Sequence, residues 1–143
     1  MKATVTWAGA RTFVGQTETG HAIAFGTAFG EDHPKPGPSP MELLLIGTGG
    51  CSAWDVISIL EKGREPVRDC KVRIDADRAE TDPKVFTRIH LQFVVTGRGL
   101  NPDKVARAVQ LSAEKYCSAS VMMAKTATVT ARAASATAIG VAT

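Results

Sequence analysis

The chain has 143 residues, of which 44% are hydrophobic, with a net charge of +3 and three cysteines. This length fits one domain, residues 1–143, and the apolar content excludes a disordered chain. The weak, scattered positive charge argues against a nucleic-acid-binding surface, which would cluster its lysines and arginines. Cysteines without a Cys-x-x-Cys pair favour reduced thiols, and no signal-peptide pattern opens the chain, so we expect a cytoplasmic protein.

The N-terminal part predicts an antiparallel meander of three strands. Residues 2–9 alternate polar and apolar side chains, with Val5 and Trp7 on the apolar side, which indicates a half-buried strand. Two further strands are predicted over Thr12–Glu18 and His21–Phe25, with short turns between them.

A proline-rich connection and a long helix follow. Glu31–Pro40 contains four prolines and a glycine, so it cannot pair as a central strand. The next stretch predicts a helix over Ser39–Gly63. Ser39 can cap this helix, and Glu42, three residues later, can complete a capping box. Gly63 suits the helix end.

The predicted helix is apolar on almost every side. A helix of that kind must be buried on every side, and one chain of this size has little material to cover it. We therefore expect a second copy of the chain to bury part of it. A membrane span is not expected, because the uncharged run between Glu42 and Asp55 has about 12 residues and a bilayer needs roughly 20.

The second half of the chain predicts a hairpin, two helices and a last strand. Alternation over Val67–Glu80 and Val85–Gly97 indicates two paired strands with one solvated face. Asn101 precedes a proline and starts an amphipathic helix. The remaining predictions are a short helix over Ser118–Met123, a strand over Thr126–Arg132, and a poorly ordered tail from about Ala133. Because strands come in antiparallel groups, the class is α+β.

Two cysteines are candidates for chemistry. Cys51 lies in the middle of the apolar helix, and burial raises a thiol pKa unless a cation compensates, for which Arg11 is the best-placed residue. The alternative for Cys51 is packing beside glycines. Cys117 precedes a short helix, whose start would lower its pKa, or else it is a core residue. Cys70 lies on the inward side of a strand and is expected to be structural.

The acidic residues of the long helix leave alternatives open. Glu42 either closes the capping box or holds an arginine in place over a thiolate. Asp55, one turn after Cys51, either pairs with a basic group across a subunit interface or faces solvent. The three histidines do not converge, so neither a metal ion nor another cofactor is expected.

The chain resembles the OsmC/Ohr family of thiol-dependent peroxidases, and its YhfA subgroup in particular. The resemblance is carried by PSPMELLLIGTGGCSAWDVISIL around Cys51 and LSAEKYCSASVMM around Cys117, and it extends from about Ala3 to Thr130. It implies an intertwined homodimer with curved antiparallel sheets around two long central helices.

The resemblance also implies roles for individual residues. The first cysteine, here Cys51, would attack an organic hydroperoxide, and the second, Cys117, would then form a disulfide with it. Arg11 would activate the attacking thiolate. The family's orienting glutamate is the third residue of an Asn-Pro-Glu motif, but Met41 stands at that place. Glu42 follows one residue later, about 100° further round a helix.

Two functions follow as hypotheses. The first is an OsmC-like thiol protein that reduces organic hydroperoxides through Cys51 and Cys117 in the response to oxidative stress, with Arg11 and Glu42 as further catalytic candidates. The alternative is a non-catalytic homodimer that binds a small apolar or lipid-like ligand between its subunits. Neither hypothesis involves nucleic acid, a membrane or a cofactor.

Overall fold

The computed structural model of the chain describes residues 1–135, which form six strands, three α-helices and one π-helical turn. In chain order these elements are β1 Ala3–Trp7, β2 Thr12–Thr17, β3 Ala22–Gly26, α1 Pro40–Lys62, β4 Val67–Arg78, β5 Phe86–Gly97, α2 Pro102–Leu111, the π-helix Ser112–Tyr116, α3 Ser118–Met123 and β6 Thr128–Ser135. The α+β class predicted from the sequence is confirmed. The chain divides into two compact units, one ending at Ile46 and the other beginning at Gly47.

The first unit holds the predicted meander. Strands β1, β2 and β3 pair antiparallel in that order, so the three predicted strands are confirmed. The expected burial of β1 is wrong for the single chain, because Val5 and Trp7 are 61% and 66% exposed. The alternation of polar and apolar residues predicted the strand correctly, but no described residue of the same chain covers its apolar side.

The start of α1 is fixed by the predicted capping box. The Ser39 N–H donates to the Glu42 carboxylate at 2.7 Å, and the Glu42 N–H donates to the Ser39 hydroxyl at 3.3 Å. The helix then begins at Pro40 and ends at Lys62, just before Gly63, as predicted.

Only one stripe of α1 is buried within the chain. Its members lie about one helical turn apart along the same side, as i, i+4 residues do. They are Thr48, Gly49, Ser52, Val56 and Leu60. Other large apolar side chains of this helix remain exposed, including Ile46 at 57% and Trp54 at 71%. Burial on every side is therefore not achieved by one copy of the chain.

The second unit is built on a sheet with β5 at its centre. Strand β4 pairs antiparallel with β5, as predicted, and β6 pairs with β5 in parallel. The parallel pair differs from the antiparallel arrangement expected from the sequence. It arises because the chain leaves β5, passes through two helices and returns to run in the same direction, which is how parallel strands are ordinarily connected.

The core of this unit lies between β5, α1 and α2. Alternate residues of β5 are fully or almost fully buried, and they meet one face of each helix. The shared cluster comprises Val56, Leu60, Leu91, Phe93, Val95, Val105, Ala108 and Val109. Asn101 caps α2 by accepting from the N–H groups of Asp103 and Lys104. Strand β6 continues to Ser135, beyond its predicted end at Arg132, and the rest of the predicted tail lies outside the described residues.

Gly49 and Ile74 should show energetic coupling. A Cβ added at Gly49 would lie 2.6 Å from Ile74 Cδ1, the methyl group that Ile74→Val removes. Gly49→Ala gains helix propensity of about 1 kcal/mol but meets this overlap. Each variant changes the free energy of unfolding relative to the wild type, and chemical denaturation measures that change. We expect the change in the double variant to be more stabilising than the sum of the two single changes by about 0.5 kcal/mol or more.

Gly50 provides the matched control. A Cβ at Gly50 meets no atom within 4 Å. Gly50→Ala combined with Ile74→Val should therefore be additive to within about 0.5 kcal/mol. Additivity in the Gly49 cycle as well would contradict the close approach of α1 to β4.

Candidate thiol site

The structure brings Cys51 and Cys117 together in the second unit. Cys51 lies on α1 and Cys117 follows the π-helix, 66 positions later in the printed sequence. Their sulfur atoms and a carboxylate oxygen of Asp55 all lie within 4.8 Å of one another. Both cysteines are free thiols, with Cys117 fully buried and Cys51 partly exposed. The site therefore joins a sheltered thiol to one that solvent can reach.

The π-helix sets the position of Cys117. It spans Ser112–Tyr116 directly after α2, and the Cys117 N–H closes it by donating to the Ser112 carbonyl at 2.9 Å. Cys117 then leaves helical geometry, with φ −72° and ψ 103°, and caps α3. Single π-helical turns within helices are frequent at functional sites, because the extra residue re-aims the side chains that follow.

Burial controls the state of the Cys117 thiol. It raises the pKa of Cys117 above the ordinary value, and the neighbouring Cys51 raises it further. Hydrogen bonds from Ser120, including its N–H at 3.3 Å from Cys117 Sγ, act in the opposite direction but do not reverse the shift. The start of α3 lowers this pKa through the Ser120 N–H, as expected from the sequence, but loss of hydration outweighs this effect and the net shift is upward.

Buried hydroxyl groups tie α1 to the segment that carries Cys117. The Ser112 hydroxyl lies 2.9 Å from the Ser52 hydroxyl and donates to the Ser52 carbonyl at 3.1 Å. It also reaches the Asp55 carboxylate at 3.5 Å. Asp55 is half-buried beside the thiols, so open solvent, one of its two predicted environments, does not describe its position. Its pairing with a basic group across a subunit interface stays a prediction.

The two other predicted site residues, Glu42 and Arg11, lie in the first unit. Glu42 forms an ion pair with Lys35 in addition to its bond with the Ser39 N–H. The hydrogen bond from Lys35, followed by those from Ser39, lowers the pKa of Glu42 to about 2. Arg11 donates to the Ala10 carbonyl at 3.2 Å, and its guanidinium carbon lies 4.8 Å from the centre of the Phe29 ring. Glu42 therefore pairs with a lysine, and Arg11 lies over an aromatic ring.

Comparison with known proteins identifies the family. A family profile described as OsmC-like protein matches residues 30–132. The chain belongs to the OsmC-like family. It is 48% identical over 130 residues to Protein YhfA of Escherichia coli K12, covering 91% of this chain and 94% of that protein.

Solved structures agree with this assignment. A hypothetical protein of Aquifex aeolicus is 31% identical, with a TM-score of 0.78 over 93% of this chain and 95% of that chain. The organic hydroperoxide resistance protein OhrB of Bacillus subtilis shares the fold, with a TM-score of 0.63 over 94% of this chain and 98% of that chain, at 18% identity. The predicted resemblance to the OsmC/Ohr family, and to YhfA in particular, is thus confirmed.

Sequence reasoning about the OsmC-like protein missed two parts of the site. The place of Asp55 beside both sulfurs is not predicted, although its spacing of four residues from Cys51 puts the two side chains on one helix face. Ser112, which begins the π-helix, is not predicted as part of the site either. Nothing in the local sequence indicates the π-helix, since it depends on how α2 meets α1.

Cys70 behaves as the expected structural cysteine. It lies half-buried on β4 and packs against the core cluster. Burial, followed by the charge of Asp69, raises the pKa of its thiol. Cys70 is therefore a suitable control for experiments on the other two cysteines.

The Glu42 carboxylate should make stability depend on acid pH. Its pKa is about 2 in the folded chain against 4.5 ordinarily, so its contribution is fully present above pH 4.5 and is lost as the pH falls towards 2. Glu42→Gln keeps the capping geometry but removes the charge. We expect this variant to have a lower Tm at neutral pH and a smaller fall in Tm between pH 4.5 and 2.

Glu31→Gln is the control, since it removes an exposed carboxylate from the loop of the same unit. Its Tm should follow that of the wild type across the same pH range. Equal pH profiles for the wild type and Glu42→Gln would show that the Lys35–Glu42 pair does not stabilise the start of α1.

Proposed function

We propose that this OsmC-like protein is a thiol-dependent peroxidase that reduces organic hydroperoxides, with Cys51 as the attacking thiol and Cys117 as the resolving thiol. The observation that carries the proposal is the approach of the two sulfurs to within 4.8 Å with unequal exposure. A partly exposed thiol can meet a hydroperoxide, while a buried one is protected from direct oxidation and lies ready for the second step. The name of OhrB, which shares the fold, is in keeping with this chemistry.

The proposed reaction has three steps. The Cys51 thiolate attacks one oxygen of ROOH, the O–O bond breaks, and the products are a Cys51 sulfenic acid and the alcohol ROH, whose proton comes from solvent or a neighbouring group. Cys117 then attacks the Cys51 sulfur, forming the disulfide and releasing water. A dithiol reductant restores both thiols by exchange and is itself oxidised to a disulfide.

The raised pKa of Cys117 suits the order of these steps. A thiol that stays protonated near neutral pH does not compete for the peroxide, and it reacts only after Cys51 has been oxidised. The opposite order would require the fully buried sulfur to meet the substrate first.

A cation close to a thiol favours the thiolate, which is the form that attacks a hydroperoxide. We assign that role to Arg11. Its charge is not neutralised by Glu42, whose carboxylate is paired with Lys35. Glu42 is assigned a positioning role instead, since its capping box fixes where α1 begins and therefore where Cys51 lies along the helix.

The proposal is tested by peroxide consumption. Reduced wild-type protein should consume cumene hydroperoxide over many turnovers with a dithiol reductant, and Cys51→Ser should fall to the uncatalysed rate. Cys117→Ser should still form a sulfenic acid, trapped by dimedone and detected by mass spectrometry, but should form no intramolecular disulfide. Cys70→Ser is the matched thiol control and should retain wild-type turnover.

Full activity in Cys51→Ser, or no reaction of the wild type with any alkyl or lipid hydroperoxide, would refute the peroxidase. The second outcome, together with a small apolar molecule retained in native mass spectrometry, would favour the alternative of a ligand-binding dimer. The exposed apolar side chains of α1 are the observation that keeps this alternative open.

We also propose that two copies of the chain associate through α1. The most apolar 18-residue window of this helix is only 28% buried within one chain, although its length and hydropathy would suit a membrane span. Asp55 and Glu42 make membrane insertion costly, whereas a second copy can cover the apolar side chains without desolvating isolated charges in lipid.

Trp54→Glu tests this association. Trp54 is 71% exposed in the single chain, so the substitution should leave its fold intact while placing a charge in the proposed interface. We expect a dimer for the wild type and a monomer for Trp54→Glu by light scattering after size exclusion. Lys71→Glu on the polar side of β4 is the control and should remain dimeric. A monomeric wild type, or a chain that partitions into lipid vesicles, would contradict the proposed dimer.

A further inference from the structure

The thiol site contains a third group that the peroxidase reaction does not use. Asp55 brings a carboxylate oxygen to within 4.8 Å of both sulfurs, so three groups that can carry negative charge share one small region. A cation placed among such groups favours the charged form of each of them. The arrangement therefore raises the question of which cation it fits.

The three groups are held by rigid elements. Cys51 and Asp55 are four residues apart on α1, which places both side chains on one face of the helix. Spacing of this kind supplies two ligands from one helix in many zinc sites. Cys117 comes from the opposite side, fixed by the end of the π-helix and by its capping of α3.

The donor atoms indicate the chemical class of the ion. Two thiolates select a soft or borderline cation, and a carboxylate is compatible with zinc but adds little to the binding of copper(I). Magnesium and calcium require sets of oxygen ligands, which this site does not offer. Three protein ligands also leave a fourth tetrahedral position for water, as in zinc sites that are open to solvent.

The distances are close to those of such a site. Zn–S bonds of about 2.3 Å and Zn–O bonds of about 2.1 Å in a tetrahedron place the ligand atoms roughly 3.5–3.8 Å apart. The present separations, up to 4.8 Å, need about 1 Å of contraction, which side-chain rotation of the partly exposed Cys51 and Asp55 can provide. Their exposure also gives an ion a path to the site.

The surroundings orient two of the three ligands. The Ser112 hydroxyl, anchored to Ser52, reaches the Asp55 carboxylate at 3.5 Å. The Ser120 N–H lies 3.3 Å from Cys117 Sγ and can stabilise a metal-bound thiolate. Hydrogen bonds of this kind fix ligand orientation in known metal sites.

We propose that Cys51, Asp55 and Cys117 of the reduced protein form a three-ligand site for Zn²⁺, with water in the fourth position. Binding releases the thiol protons to solvent and involves no change of oxidation state. It is independent of whether any hydroperoxide reacts, but the same sulfurs cannot hold the metal and form a disulfide at once. The ion would therefore protect the thiols from oxidation. This site is not predicted from the sequence, because its ligands lie up to 66 positions apart and meet only in the folded chain.

The test uses reduced full-length protein and Zn²⁺ alone, measured by competition with a chromophoric chelator. The wild type should bind one ion per chain. Cys51→Ser and Cys117→Ser should lose this binding, and Asp55→Asn should weaken it by about tenfold or more. Cys70→Ser and Asp69→Asn are the matched thiol and carboxylate controls and should bind as the wild type does.

Co²⁺ provides an independent readout of the ligands. Substitution into the wild type should give intense tetrahedral d–d bands and thiolate-to-cobalt charge-transfer absorption, both absent in Cys51→Ser. This variant changes a partly exposed residue, so it remains informative if Cys117→Ser fails to fold.

No stoichiometric binding by the wild type, or binding that survives in Cys51→Ser without charge-transfer absorption, would overturn the proposal. The second outcome would place the ion at surface histidines instead. Peroxide assays are run with a chelator present, so a protein that binds Zn²⁺ but consumes no peroxide would refute only the peroxidase, and the converse would refute only the metal site.

Discussion

The structure of the site depends on the contact between α1 and the segment that ends in Cys117. Two buried hydrogen bonds fix this contact: the Ser112 hydroxyl donates to the Ser52 carbonyl, and the two serine hydroxyls bond to each other. Buried polar groups without partners are costly, so these bonds tolerate little sliding of one segment along the other. Because Cys51 directly precedes Ser52 and Cys117 closes the π-helix that Ser112 begins, the same bonds hold the two thiols in register.

The environment of the thiols gives them different properties although they are neighbours. Cys117 is fully buried, and burial is the largest influence on its pKa. Cys51 is partly exposed on a helix whose outer side is unusually apolar. The pair thus contains one thiol that a substrate can reach from solvent and one that is shielded from it. The difference follows from how deeply each sulfur is buried.

The carboxylates of Glu42 and Asp55, both on α1, have different surroundings. Glu42 is engaged by Lys35 and by the helix start, which stabilises the beginning of α1. Asp55 lies with the thiols, 3.5 Å from the Ser112 hydroxyl, with no basic side chain paired to it among residues 1–135.

Much of this OsmC-like fold was determined by local sequence. The capping residues Ser39 and Glu42 fixed the start of α1, and alternation fixed β4 and β5, because hydrogen bonding at helix ends and the two-residue period of strands act over short stretches. The two candidate cysteines were identified from the motifs around them. The parallel pairing of β6, the π-helix and the meeting of Asp55 with both sulfurs were decided only by the tertiary structure. Each of these depends on how segments distant in sequence pack against one another, and no local pattern of residues encodes that packing.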